Sequence, residues 1–131
     1  GRIAGVPIGL GDVEVTATPA DGQWACVGIA ATDGRPLATA ETLLVAVAGR
    51  VENTRMGWDD KRQTVGSRWG TGPVVAMGVA ADLLVPGERP RVYALDETGE
   101  RKQEVSVSLK GQRWLIRLTP EDETLWYAIE R

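Results

Sequence analysis

The sequence predicts an all-β domain, an antiparallel two-sheet β-sandwich of jelly-roll-like form, and three observations carry that prediction. Apolar and polar residues alternate with a period of two along several short segments, which puts one face of each on a core and the other in solvent. Turn dipeptides punctuate these segments at intervals of about 8–12 residues, among them Asp33-Gly34, Pro86-Gly87, Thr98-Gly99 and Lys110-Gly111. No stretch of useful length carries the apolar repeat of an amphipathic helix, so the strand–helix alternation that a parallel sheet needs is missing.

The elements follow in order. Residues 1–10 read as an N-terminal linker or edge segment. Val13, Val15 and Ala17 alternate with Glu14, Thr16 and Thr18 as a half-buried strand, and Asp21-Gly22 turns the chain. Trp24 to Ala30 and Leu43 to Gly49 are nearly continuous apolar runs, which suit central strands covered on both faces. Val74 to Val79, Leu83 to Val85 and Arg91 to Asp96 follow as strands. Val105, Val107 and Leu109, then Trp114, Ile116 and Leu118, read as the arms of a hairpin turned at Lys110-Gly111. Leu125, Tyr127 and Ile129 give the inward face of a closing strand. The expected core is Val27, Ile29, Val45, Val47, Val107, Leu109 and Ile116, joined by Trp24 and Trp114. Cys26 is expected there too, as a small buried hydrophobe.

The 131 residues make about one domain, residues 1–131, at 43% hydrophobic and 25% charged, an ordinary globular composition. No apolar run approaches the roughly 20 residues that cross a bilayer, and no charged-then-apolar leader opens the chain, so no membrane partner is expected and the sequence is expected to start after any export signal. The net charge of −3 and the absence of like-charged blocks give no electrostatic basis for binding a phosphate backbone, so nucleic acid is not an expected partner. There is no histidine and one cysteine, which closes most nucleophilic catalysis and leaves no soft ligand set for zinc or copper. Oxygen ligands alone remain. The acidic corner Glu121-Asp122-Glu123 is open either to a structural Ca²⁺ or to a helical turn before the last strand, and no other cofactor is expected. Glu52 with Asp59 or Asp60 supplies the carboxylates of a glycosidase pair but not the cleft that would raise one pKa. The chain is expected not to be an enzyme.

Residues 50–73, RVENTRMGWDDKRQTVGSRWGTGP, break the strand pattern. Structureless segments beyond about 12–15 residues are usually functional loops. This one holds two of the five tryptophans, Trp58 and Trp69, with Arg55, Asp59, Asp60, Lys61, Arg62 and Arg68 among four glycines. The segments LLVAVAGRVENTRMGW, RWGTGP, RVYALDETGERKQEV and TLWYAIER resemble the terminal β-sandwich accessory domain of large bacterial clan-A TIM-barrel glycoside hydrolases, over about Trp24 to Arg131. The resemblance implies a secreted, carbohydrate-binding-module-like domain. Its partners would be a plant polysaccharide such as cellulose or hemicellulose and the catalytic domain of a parent chain.

Indole faces pack against the C–H faces of pyranose rings, and forked polar groups bind the hydroxyls beside them. The expected ligand-binding residues are therefore Trp58 and Trp69 with Asp59 and Arg68; the alternative for the two rings is that they plug the loop. Trp126, on the opposite face from Leu125, Tyr127 and Ile129, is either exposed or packed on a neighbouring domain. A structural domain that packs on and stabilises the catalytic barrel without binding sugar is the second functional reading.

Overall fold

A computed structural model of the chain describes residues 1–19 and 24–131, so the Asp21-Gly22 turn lies outside the described residues. The strands are β1 (Pro7–Leu10), β2 (Val13–Pro19), β3 (Cys26–Ala31), β4 (Thr42–Ala48), β5 (Val51–Thr54), β6 (Thr71–Ala76), β7 (Val79–Val85), β8 (Arg91–Leu95), β9 (Arg101–Val105), β10 (Val107–Lys110), β11 (Arg113–Leu118) and β12 (Trp126–Glu130). Two five-stranded sheets form, one in the order β1-β2-β7-β11-β10 and the other β3-β4-β12-β8-β9, and β5 and β6 make a separate two-stranded ribbon. Strand pairing is antiparallel throughout. The chain is an antiparallel two-sheet β-sandwich.

The alternation does what it predicts. Val13, Val15, Leu83, Val85, Ile116 and Leu118 of the first sheet meet Leu43, Val45, Val47, Val92, Tyr127 and Ile129 of the second in one buried cluster. Each such aliphatic side chain contributes about 1.5–3 kcal/mol on full burial. Of the expected core, Val45, Val47 and Ile116 are fully enclosed, while Val27, Ile29 and Val107 pack against the cluster with one side open.

Leu109 is not in the core: it is 61% exposed. The run from Val105 to Leu109 is two strands, broken at Ser106, with β9 on the edge of one sheet and β10 on the edge of the other. Leu109 stands opposite Trp114, near the end of an edge strand that the facing sheet does not cover. Trp114 is half-buried and donates its indole N–H to the Gly87 carbonyl at 3.1 Å.

The apolar run before Ala31 likewise proves to be an edge strand. β3 pairs only with β4, and its outward residues Cys26, Gly28 and Ala30 are exposed while Val27 and Ile29 turn inward. Small side chains hide the alternation from a hydropathy count, and Cys26, expected in the core, is exposed because it points outward on this edge strand. Trp24, two residues earlier on the same outward parity, is 50% exposed and not a core residue.

Strand β12 lies in the middle of its sheet, hydrogen-bonded to β4 on one side and β8 on the other. The acidic corner ahead of it is a short 3-10 turn over Pro120–Asp122. Asp122 accepts hydrogen bonds from the Thr119 backbone N–H (3.0 Å), the Gln103 amide (2.9 Å) and the Tyr127 hydroxyl (3.0 Å). Its oxygens thus serve the fold, and among the described residues no three Asp, Glu or Cys side chains converge to hold an ion.

Burial, and then the Asp122 carboxylate, push the Tyr127 phenol well above its ordinary value. A raised folded-state pKa gives stability that is complete below the unfolded tyrosine value of about 10 and is lost as pH rises above it. The stability advantage of the native protein over Tyr127→Phe is therefore expected to shrink above about pH 10. Urea unfolding of both proteins at a series of alkaline pH values measures this, and a difference that stays constant would contradict it.

Candidate functional site

The segment read as a structureless loop is a hairpin. Strands β5 and β6 pair from Val51↔Ala76 to Thr54↔Thr71, with a register shift at Asn53/Thr54, and residues 55–70 form its tip. Arg55 begins the tip in the left-handed region at φ 60°. Gly57 then donates its N–H to the Arg68 carbonyl (2.8 Å) and Asp59 donates to Thr64 (3.0 Å), folding the tip back on itself. The Asp59 carboxylate accepts the Gln63 N–H at 2.7 Å and Thr64 Oγ1 accepts that of Gly66 at 3.1 Å, as short polar side chains do in turns. Val65 is buried under the tip.

This construction separates the four expected site residues. Asp59 holds the turn. Arg68 lies over Gly57, so close that a Cβ there would meet its side chain at 2.8 Å. Trp69 is 63% exposed, and its carbonyl accepts the Asn53 side-chain amide at 3.0 Å. Only Trp58 enters a cleft.

That cleft, of about 420 Å³, lies between the ribbon and the start of the chain and is lined by Arg2, Trp24, Arg50, Val51, Trp58, Lys61 and Arg62. Its volume falls in the range of about 300–1,000 Å³ typical of small-molecule sites. Trp24 reaches it because Ala25 is buried and donates its N–H to the Gly1 carbonyl (3.0 Å), which turns the preceding residue outward. The Arg62 guanidinium stacks over the Trp58 ring, 5.3 Å from its centroid, and holds the indole plane in place.

Among the described residues every charged side chain in the lining is cationic. Glu52, 13% exposed, sits behind it, forming ion pairs with Arg62 and with Arg50, the latter at 3.3 Å. Burial raises the Glu52 pKa, but the Arg62 contact, the indole N–H of Trp58 and the charges of both arginines outweigh it and hold the carboxyl below its ordinary value. Trp58 Nε1 is itself buried and makes no hydrogen bond of regular geometry. Glu52, beside the cleft, is thus held as an anion and anchors the two arginines.

Two residues of this cleft lie outside the segment 50–73 and escaped the sequence reading: Trp24 was hidden by the apolar run that follows it, and Arg2 lies in a segment without strand alternation. The small outward residues Cys26, Gly28 and Ala30 were the available sign that Trp24 faces out. Comparison of the chain with protein-family models, curated sequences and solved structures finds no match.

Proposed function

We propose that the domain is a non-catalytic carbohydrate-binding accessory module, of the type that serves a secreted bacterial glycoside hydrolase on plant polysaccharide. The observation that carries this reading is the pairing of two indoles, Trp24 and Trp58, on one open cleft of sugar-binding size. Aromatic faces with charged donors at their rim are the chemistry that sugar rings and hydroxyls require. Among the described residues the lining carries no carboxylate, and the pKa of the neighbouring Glu52 is lowered by its arginine partners, which does not suit it to act as a general acid.

Native affinity electrophoresis with soluble polysaccharides tests the proposal. Retardation of the native domain is expected, and Trp58→Ala or Trp24→Ala should each weaken it by about tenfold to a hundredfold, the effect of losing 1–3 kcal/mol of stacking. The same assay on Trp69→Ala tells whether that exposed ring adds a second platform.

One observation favours the second reading, a domain that packs against the catalytic barrel. The outer face of β3, β4 and β12 carries Gly28, Ala30, Leu44, Ala46, Trp126 and Ala128, a small-residue apolar surface with Trp126 44% exposed upon it. Such a face suits another domain's surface. Retardation that is absent, or unchanged in both cleft variants, would transfer the assignment to this reading.

A further inference from the structure

The cleft differs from a neutral-sugar platform in its charge. The whole protein is acidic, at −3, yet Arg2, Arg50, Lys61 and Arg62 gather on one small concavity. Glu52 engages Arg50 and Arg62. Arg2 and Lys61 make no ion pair among the described residues. Arg2 and Lys61 border the same partly enclosed cleft beside two indoles, and an anion bound there would be attracted by both charges.

We propose that the cleft takes an anionic sugar unit of an acidic polysaccharide, its ring against Trp24 and Trp58 and its acid group on Arg2 and Lys61. This rests on the carbohydrate-binding reading and narrows it from polysaccharide in general to a carboxylated or sulfated one. Sugar hydroxyls make only neutral acceptors for Arg2 and Lys61, which have no acidic partner among the described residues, whereas a carboxylate or sulfate accepts charge-assisted hydrogen bonds from both. The Trp58 ring, already under the Arg62 guanidinium, presents its remaining surface to the ligand.

Affinity electrophoresis of the 131-residue protein against four probes tests this: polygalacturonate (carboxylated), a carrageenan (sulfated), hydroxyethylcellulose (neutral) and a single-stranded oligonucleotide. Retardation by one or both acidic polysaccharides is expected to exceed that by the neutral one by about tenfold and to weaken as salt rises from about 50 to 500 mM. Which acidic probe binds better distinguishes carboxylate from sulfate. Lys61→Ala and Arg2→Ala should each reduce acidic-probe retardation by about tenfold, against a charge-matched control, Lys110→Ala on β10, that leaves it as in the native protein. Thermal unfolding of each variant verifies that it folds. Equal or stronger retardation by hydroxyethylcellulose overturns the anionic assignment while leaving the carbohydrate reading standing. Retardation by the oligonucleotide above the acidic polysaccharides overturns it in favour of a stacking site for nucleic acid. No retardation by any probe overturns both.

Discussion

Truncation of Leu83 to alanine is expected to cost about 2–5 kcal/mol of unfolding free energy, the range for emptying an enclosed aliphatic site. Leu83 is fully buried at the middle of β7, opposite Val15 of β2 and Ile116 of β11, so the strands on both sides limit how far the void can close. The loss is large against the 5–15 kcal/mol that ordinary domains possess, and it should lower the melting temperature by about 10 °C. Urea unfolding with an unchanged m-value measures it. A change below about 1 kcal/mol would mean that the two sheets are not packed on this residue. Leu109→Ala, at an exposed edge, should by contrast stay within about 0.5 kcal/mol.

The second large effect is expected at Gly70, where the ribbon closes. Its φ is +73°, and a Cβ would stand 2.3 Å from the Thr54 carbonyl oxygen and 2.8 Å from the Met56 nitrogen. Both neighbours are backbone, so Gly70→Val cannot be accommodated by a rotamer change, and the left-handed conformation alone adds about 1–2 kcal/mol. The tip, which positions Trp58, should be displaced. Because β5 and β6 belong to neither large sheet, the sandwich should survive. Polysaccharide retardation is therefore expected to fall as far as in Trp58→Ala while far-ultraviolet circular dichroism keeps its strand spectrum. A variant that binds as the native protein does would show that the tip does not build the site.

The contrast between Leu83 and Leu109 shows what was readable in the chain. Alternation places Leu109 inward and correctly finds β2, β11 and β12, and the apolar run finds β4. The single strand β7 (Val79–Val85), however, was split between Val74–Val79 and Leu83–Val85, because the sheet pairing that joins it is not written in its residues. Alternation does not say where a sheet ends. Edge position depends on pairing between segments far apart in sequence, and Leu109, Cys26 and Trp24 were misplaced for that reason. The segment 50–73 carries no strand alternation, yet Val51–Thr54 is a strand whose partner also begins inside the segment, at Thr71, so the reading of it as a structureless loop was wrong at both ends. Its mixed residues carry no period because the ribbon stands off the core, with β6 exposed along its whole length. Trp58 could be picked from sequence as a loop indole. Its neighbour across the cleft could not, since Trp24 and Trp58 meet only through tertiary structure.

The central place of β12 has a consequence for the order in which the chain can finish folding. A ribosome delivers residues 126–130 after β1 to β11, yet they fill the slot between β4 and β8. Without β12 the backbone groups that β4 and β8 direct toward it have no partner, because those two strands are joined through β12 alone. Unpaired edges invite pairing with another chain. The interval between synthesis of β8 and arrival of β12 is thus when a nascent copy is most open to exchange with its neighbours, and β12, once inserted, ends that exposure by joining β4 to β8.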